Sequence, residues 1–300
     1  MSPGRHTGPV VDAVQGVEVV DCETCGFKHV VPVPSPAELE HVYREEYFSR
    51  EKPLYIERHL EDADWWRLAY GDRYETFEEL LPPDRRRILD VGSGPGLFLR
   101  TGAERGWRTL GVEPSRQAAT HSRSLGLEIV EDFLDETTAA TLGRHDVVHL
   151  SEVLEHIPDP EALLRLVHGL LDPGGLVCVV APNDYSPFQR ALRDVDGYDP
   201  WWLAPPHHVN YFDFESLARL LERCGFEVCL REATFPIDLF LLMGDRYVGD
   251  DEVGRACHAR RKRFEHVLDE AGLTPLRRTL YRALAEHGIG REAIVVARLP

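Results

Sequence analysis

The sequence predicts an α/β protein with a doubly wound parallel sheet of seven strands, and three observations favour this class. Short apolar runs alternate with helical patterns from residue 86 onward. The first run ends in a glycine-rich turn, LDVGSGPG at 89–96, that leads directly into a helix. The run GGLVCVVAPN at 174–183 is apolar without alternation, as expected of a strand buried on both faces. Strand–helix alternation over this length builds a parallel sheet covered by helices.

Each predicted strand is an apolar run that stops at a turn or helix signal. In chain order the strands are RRILDVG, TLGVEP, LEIVEDF, DVVHLSE, GGLVCVVAPN, FEVCLREA and REAIVVARL, which begin at residues 86, 109, 127, 146, 174, 226 and 291. The helices between them carry recognisable boundaries. Ser115 is placed to cap the helix SRQAATHSRSLG, and Pro160 opens the helix PEALLRLVHGLL. FESLARLLERCGF precedes the sixth strand.

The chain divides into three predicted pieces. Residues 1–35 form a small cysteine-containing segment of strands and turns, and residues 36–83 form an aromatic helical lid or linker that closes at the proline pair in LPPD. Tyr43 and Tyr47 are four residues apart and would share a helix face. Residues 84–300 hold the sheet, interrupted by a largely helical insertion at 234–290. The apolar FPIDLFLLMG of this insertion predicts a lid or a homodimer surface.

Composition narrows the function. The formal net charge of −17 disfavours non-specific nucleic-acid binding, which needs concentrated lysine and arginine. No run of about twenty apolar residues occurs, and the first residues lack a signal-peptide core. We therefore expect a soluble, cytoplasmic protein without membrane contact. Its six cysteines would then be thiols or metal ligands rather than disulfides.

The glycine loop at 89–96 carries the most specific signal. Its glycines allow a tight turn and a close approach of the backbone to a ligand. A dinucleotide-binding fingerprint would place a third glycine at Leu97, and no lysine follows as in a nucleoside-triphosphate loop. The stretch instead resembles motif I of class I S-adenosylmethionine-dependent methyltransferases. Glu113 then ends the second strand where a carboxylate can accept from both ribose hydroxyls, and Asp132–Phe133 ends the third, beside the adenine.

Two further segments extend this resemblance. SEVLEHIPDP after the fourth strand is similar to the corresponding part of ubiquinone-biosynthesis O-methyltransferases, and DPGGLVCVVAPN resembles the fifth-strand motif of the same family. The resemblance implies a Rossmann-like fold that binds S-adenosyl-L-methionine and releases S-adenosyl-L-homocysteine. The cofactor residues it implies are Asp90, Gly92, Gly94, Gly96, Glu113, Asp132, Phe133 and Ser151. Glu152 lies at the binding edge as an acceptor-site candidate, whereas His156 is expected to pack or cap.

The stretch APPHHVNYF at 204–212 supplies a candidate general base. If the prolines keep the chain extended, successive side chains alternate sides, so His207 and His208 do not act together. His208 occupies a position that resembles a histidine of these methyltransferases and is the preferred base, with His207 holding the loop. The other reading is that the histidines only fix the loop. Acceptor contacts are expected from Asn183, Asp184, Tyr185, Trp201, Trp202 and Tyr211.

The segment DCETCGFKH gives a metal-ligand spacing of Cys22, Cys25 and His29. It resembles half of the zinc ribbon that precedes the methyltransferase domain of nucleotide-sugar C-methyltransferases, but the second cysteine pair is missing. Structural zinc takes four ligands, so a distant residue such as His6 or His41 must complete the set. The rival interpretation is a hairpin turn with two reduced thiols.

Two function classes remain. The first is methyl transfer to oxygen, carbon or nitrogen of a small molecule: a sugar, a nucleotide-sugar or a natural-product intermediate. The alternative is a protein of the same fold that binds S-adenosylmethionine without methylating, in a regulatory role or another reaction. Methylation of RNA or protein is disfavoured by the acidic charge and by SEVL after the fourth strand, where an asparagine-proline-proline-tyrosine-type motif would stand.

Overall fold

The computed structural model describes residues 6–35 and 54–300. The predicted helix face of Tyr43 and Tyr47, and the candidate ligand His41, lie outside these ranges. The later part of the predicted lid is helical, as α1 (Tyr55–Glu61) and α2 (Ala63–Leu80).

The main sheet has seven strands in the order β10–β11–β8–β7–β4–β5–β6. They are β4 (Arg87–Val91), β5 (Arg108–Val112), β6 (Ile129–Val130), β7 (His145–Ser151), β8 (Leu171–Pro182), β10 (Glu227–Ala233) and β11 (Glu292–Arg298). The predicted seven-stranded sheet is confirmed. The strands β6, β5, β4, β7 and β8 pair in parallel, whereas β11 is antiparallel to both β8 and β10. The strand β11 is reversed because the preceding insertion returns the chain to the sheet edge where β8 ends, at Pro182.

Helices cover both faces of this sheet. They are α3 (Leu97–Glu104), α4 (Arg116–Ser124), α5 (Glu136–Leu142), α6 (Pro160–Gly169), α7 (Pro187–Asp196) and α8 (Phe214–Arg223). Ser115 caps α4 by accepting from the backbone N–H of Ala118, as predicted. The segment of α7 lies directly after Asn183, Asp184 and Tyr185, which were expected to contact the acceptor. It folds as a helix because Ser186 and Gln189 form a capping box at its start.

The predicted insertion is helical, as α9 (Asp238–Leu242), α10 (Asp251–Glu270) and α11 (Thr274–Glu286). A buried ion pair attaches it to the rest of the chain. Arg277 donates to both carboxylate oxygens of Asp72 on α2, at 2.7 and 3.0 Å. The insertion is thereby tied to the helices that precede the sheet.

A second, four-stranded antiparallel sheet joins the N-terminal segment to a distant loop. Its strands are β1 (Val10–Val14), β2 (Val17–Asp21), β3 (Lys28–Val31) and β9 (Asn210–Tyr211). His29 pairs with Asn210, and the N–H of Val30 donates to Val209 O at 2.9 Å. The cysteine-containing segment therefore packs directly on the loop that carries the two histidines.

The prediction of an extended chain through the prolines was wrong. Residues 205–207 form a turn, which the N–H of His208 closes by donating to Ala204 O at 2.9 Å. Alternation begins only at Val209, which packs with Tyr211 between the small sheet and the loop, while Phe212 enters the main core. Within residues 6–35 and 54–300, every helix is too short or too polar to cross a lipid bilayer.

Candidate active site

Two adjoining cavities open at the carboxyl ends of β4, β5 and β7, the edge where open parallel sheets bind ligands. The larger, called the cofactor cavity because the residues predicted to bind the cofactor line it, has a volume of about 910 Å³ with its open mouth included, and the smaller, called the inner cavity, one of about 550 Å³. Five residues line both: Tyr55, Gly92, Gly94, Ser151 and Glu152. The two cavities are therefore parts of one cleft.

The glycine loop forms the floor of this cleft. Gly92, Gly94 and Gly96 have φ values of 72°, 51° and 81°, in the left-handed region that favours glycine. A Cβ atom on Gly92 would lie 2.8 Å from Val153 Cγ2. Gly92 and Gly94 line the cofactor cavity, and Gly96 starts α3 without lining either cavity. The loop thus brings bare backbone against the space where a ligand would lie.

Glu113 is the best-defined polar group of the cofactor cavity. Its Oε2 accepts from the backbone N–H of Gly94 and its Oε1 from that of Ser115, both at 2.8 Å. Burial raises its pKa to about 7, although these two hydrogen bonds favour the charged form. A carboxylate has about four acceptor sites, so two remain for a ligand with paired hydroxyls.

The residues that follow β6 and β7 form the side walls of the cleft. Asp132 and Phe133 line the cofactor cavity, and the N–H of Phe133 donates to Asp132 Oδ1 at 2.9 Å. Ser151 and Glu152 follow β7. Glu152 has a φ of 55°, a conformation that a residue other than glycine rarely adopts and that is enriched at functional sites.

The inner cavity contains a buried carboxylate–imidazole pair. Asp90, at the end of β4, lies with Oδ1 2.7 Å from His149 Nδ1, and the Phe98 ring stacks on the imidazole at 3.8 Å. Burial lowers the pKa of His149, so the neutral ring donates from Nδ1. Its Nε2 is buried and has no hydrogen-bond partner in the described part of the chain. Asp90, which was predicted to bind the cofactor, therefore lines the inner cavity together with His149, and its Oδ1 accepts from this histidine.

Arg73 on α2 is a second polar group of the inner cavity, and sequence reasoning missed it. It is 5% exposed, and its Nε and Nη1 are buried with no partner among residues 6–35 and 54–300. Tyr70 lies beneath the guanidinium at 5.4 Å. No local sequence signal marks this arginine, because it reaches the inner cavity from α2, a helix that precedes the sheet in the chain. A buried arginine with spare donors is a receptor for an anion.

His156, which was expected only to pack or cap, lines the cofactor cavity, whereas the candidate bases His207 and His208 line neither cavity. Its Nδ1 donates to His207 O at 2.8 Å, and the His208 ring packs edge-on against it at 4.9 Å. The ring atoms of His156 and His208 and a carboxylate oxygen of Glu155 lie within 4.8 Å of one another. Such a group can relay a proton or hold a divalent cation.

Two carboxyl groups in this region, those of Glu155 and Asp184, are buried away from water. Glu155 is fully buried, and desolvation together with the charge of Glu152 raises its pKa well above the ordinary range. Burial raises the pKa of Asp184 to about 8, an effect that the charge of Arg291 only partly offsets. Both carboxylate oxygens of Asp184 have no hydrogen-bond partner within the described residues.

The other expected acceptor residues lie outside both cavities. Asn183 donates to the carbonyls of Gly288 and Gly290, so it anchors the end of the insertion. Tyr185 donates to Asp12 at 2.9 Å, and Tyr211 to His208 O at 3.0 Å. Trp201 and Trp202 pack with the small sheet. The structure therefore groups these residues around the loop at 204–209 that carries His207 and His208, here the histidine loop, and not around either cavity.

A separate cluster of metal-type ligands lies in the N-terminal sheet. The sequence singled out Cys22, Cys25 and His29, and the structure brings His6 to the same point. One ligand atom from each of the four lies within 4.8 Å of the others.

The sheet order, the glycine loop and the acid after each of the next two strands define the class of S-adenosylmethionine-dependent methyltransferases. A sequence model described as "Methyltransferase domain" matches residues 65–230, more than half of the chain, and the chain belongs to that family.

Among curated proteins, the ubiquinone biosynthesis O-methyltransferases of Escherichia coli O139:H28 and Shigella boydii serotype 18 are each 34% identical to this chain over 96 residues. The match covers 30% of this chain and spans 40% of the length of those relatives. Their activity therefore comes to this chain only as a proposal.

Solved structures show the same fold. The chain resembles the complex of the Haloferax volcanii Trm112 methyltransferase activator with a putative methyltransferase, with a TM-score of 0.52 and 16% identity over 86% of this chain and 97% of that one. It also resembles a SAM-dependent methyltransferase from Archaeoglobus fulgidus, with a TM-score of 0.50 and 18% identity over 80% of this chain and 98% of that one.

Proposed function

We propose that the protein transfers the methyl group of S-adenosylmethionine to a small molecule. The single observation that carries this is Glu113, a buried carboxylate fixed by two backbone N–H groups with acceptor capacity left over. This geometry suits the two ribose hydroxyls of the cofactor. Asp132 and Phe133 on the adjoining wall suit the adenine amino group and ring face.

The inner cavity suits the other end of the cofactor. The methionine part of S-adenosylmethionine carries a carboxylate, and Arg73 offers buried donors without partners near the glycine loop. We assign Arg73 to that carboxylate. The polar groups of the cleft then match both ends of one extended ligand that lies across Gly92 and Gly94.

The cofactor supplies the activated methyl group, since its sulfonium leaves as a neutral thioether. The protein must align the acceptor and, for a hydroxyl or acidic carbon, remove a proton. We assign proton removal to the histidine pair, with His156 at the cavity wall and His208 behind it. Because the Nδ1 of His156 donates to His207 O, the nitrogen that accepts a proton in the neutral ring is Nε2, which lies 3.8 Å from Glu155 Oε1.

A sugar, a nucleotide-sugar or a natural-product intermediate remains the proposed acceptor class. The acceptor would approach from the side where Glu152 and His156 border the cleft. The net charge of −17 is unfavourable for RNA.

Turnover of histidine variants tests the base. We expect His208→Ala and His156→Ala each to lower kcat by roughly 10²-fold, the ordinary worth of positioned acid–base help, with little change in S-adenosylhomocysteine affinity. His207→Ala is the matched control and should stay near wild type, because the carbonyl that accepts from His156 is kept in the alanine variant. The measurement is production of S-adenosylhomocysteine from S-adenosylmethionine with a panel of sugars, nucleotide-sugars and hydroxylated aromatics.

Two results would contradict this assignment. A large loss in His207→Ala with normal turnover in His208→Ala would invert the roles of the pair. Activity lost to a chelator and restored by Mg²⁺ would make the Glu155–His156–His208 group a cation site. If the protein binds S-adenosylhomocysteine but forms none with any acceptor, the alternative of a non-methylating protein of this fold is favoured.

We also propose that Cys22, Cys25 and His29 bind zinc as a structural ion. The support for this proposal is that ligand atoms of Cys22 and Cys25, in the turn after β2, and of His29, on β3, lie within 4.8 Å of one another although no second cysteine pair follows. Thiolate and imidazole are the ligands that zinc prefers in such sites.

A further inference from the structure

The N-terminal metal-type cluster has four members, and its geometry is close to that of a bound ion. Cys25 Sγ lies 3.4 Å and Cys22 Sγ 3.8 Å from His6 Nδ1. Ligand atoms around one tetrahedral zinc are about 3.3–3.8 Å apart, from Zn–N and Zn–S bonds of about 2.0 and 2.3 Å. The fourth member, His29, lies within the same 4.8 Å group. A contraction of no more than about 1.5 Å would complete the coordination.

His29 is prepared to act as a ligand. Its Nδ1 lies 2.9 Å from Val30 O, and because a carbonyl only accepts, Nδ1 carries the proton. The Nε2 atom therefore keeps its lone pair. The residue is 0% exposed, and this Nε2 has no hydrogen-bond partner in the described parts of the chain. A buried acceptor of this kind is costly unless something binds it, and an imidazole fixed through its other nitrogen is the usual second shell of a metal site.

The cysteines show the same preparation. Both are buried, and the backbone N–H of Cys25 donates to Cys22 Sγ at 3.4 Å, which fixes that sulfur within the turn. Two reduced thiols in a simple hairpin turn would explain neither the approach of His6 nor the spare nitrogen of His29. Two sulfur and two nitrogen ligands in a closed tetrahedron suit zinc.

The same sheet links this cluster to the histidine loop. His29 pairs with Asn210 across β3 and β9. The side-chain amide of Asn210 in turn donates to Leu154 O at 2.8 Å and Ile157 O at 2.7 Å. These carbonyls flank His156 in the turn after β7. The cluster is therefore connected to the cavity wall through His29, which pairs with Asn210, and through the side-chain amide of Asn210.

We infer that His6, Cys22, Cys25 and His29 form a four-coordinate zinc site whose ion fixes the position of the histidine loop beside the acceptor. The inference rests on the proposed methyl transfer and on the proposed zinc ion. It adds His6 as the fourth ligand and the link through Asn210 from the ion to the cavity wall. Asn210 is the positioning residue of this connection, since it acts through the turn that carries His156.

Metal analysis of the purified full-length chain tests the site. We expect one zinc per chain in the wild type, less than about a tenth in Cys22→Ser/Cys25→Ser, and zinc affinity lowered at least roughly 10-fold in His6→Ala. Cys229→Ser is the matched control, because Cys229 is exposed on β10, and should keep one zinc. Replacement by Co²⁺ gives a second readout: tetrahedral thiolate–imidazole cobalt has visible absorption that His6→Ala should change. A zinc-free wild type, or His6→Ala with wild-type affinity and spectrum, would overturn the ligand set.

The connection to the loop has its own test. Zinc removal, and separately Asn210→Ala, should lower kcat by at least about tenfold while the Kd for S-adenosylhomocysteine changes less than about threefold. Unchanged turnover in the zinc-free protein would overturn the connection and leave the methyltransferase proposal intact. Absent S-adenosylhomocysteine binding in the zinc-loaded wild type would instead contradict the proposed function and leave the metal site standing.

Discussion

At the scale of single residues, the cleft is built from buried polar groups that leave bonding capacity unused. Glu113 keeps two acceptor sites, Arg73 keeps two donors and His149 keeps one ring nitrogen. Burying such groups without partners costs free energy, so their concentration at one sheet edge indicates a polar ligand.

Glu113 makes cofactor binding depend on pH. Its pKa of about 7 in the folded protein means that the carboxyl is protonated, and loses acceptor sites, as the pH falls below 7. Binding of the ribose hydroxyls to the charged form should therefore strengthen with rising pH, by roughly three- to tenfold in Kd between pH 6 and pH 8. Calorimetry of S-adenosylhomocysteine binding at several pH values measures this. In Glu113→Gln the affinity should be lower and flat; equal slopes in both proteins would contradict the assignment.

The raised pKa of Glu113 also makes the free energy of unfolding depend on pH. The folded pKa lies above the unfolded value of about 4.5, so the folded state holds more protons between pH 4.5 and pH 7. The contribution of Glu113 to the free energy of unfolding thus falls as pH rises through this window. Retaining a destabilising buried carboxylate is consistent with a binding role.

The sequence located the residues whose roles are set by local backbone. Gly92, Gly94 and Glu113 were predictable because a turn at the end of a strand requires glycine and because the next strand must end beside it. Arg73 and His149 were not predictable, since Arg73 reaches the cleft through the packing of α2 on α3 and His149 through the pairing of β7 with β4.

At the scale of elements, the insertion is held by charge as well as by apolar contact. Arg277 on α11 and Asp72 on α2 are both more than nine-tenths buried, and burial raises the pKa of Asp72 to about 6 despite the arginine. The turn at 205–207 was missed because the flanking residues Trp202 and Val209 pack with the small sheet, a contact that the local sequence does not show.

Breaking this ion pair should destabilise the fold. Arg277→Met leaves Asp72 buried without its partner and should lower the free energy of unfolding at pH 8 by about 3–5 kcal/mol. The loss should shrink below pH 6, where Asp72 becomes protonated. Urea unfolding at both pH values measures this, and Asp72→Leu/Arg277→Met should recover most of the loss.

The exposed pair of Arg67 and Asp64 on α2 is the control, and Arg67→Ala should cost at most about 1 kcal/mol. If Arg277→Met were as mild as Arg67→Ala, the insertion would not depend on this contact.

At the scale of the whole molecule, the described chain combines a main sheet with two additions at one edge. The helical insertion ties to the helices that precede the sheet, and the small sheet carries the candidate metal cluster against the histidine loop. The three-part division at residues 35 and 83 stays a prediction. Apolar side chains remain exposed on the insertion, among them Leu242 and Met243 of the FPIDLFLLMG stretch. A homodimer through this surface also stays a prediction, which light scattering of the purified protein would check.

The central claim is that the cleft at the ends of β4, β5 and β7 binds S-adenosylmethionine. Calorimetric titration of the full chain with S-adenosylhomocysteine at pH 8 tests it most directly. We predict one site per chain with a Kd in the micromolar range, and a Kd raised at least roughly tenfold in both Glu113→Ala and Arg73→Met, the loss expected when a hydrogen bond to a charged group is removed. No heat of binding in the wild type, or wild-type affinity in Glu113→Ala, would contradict the account.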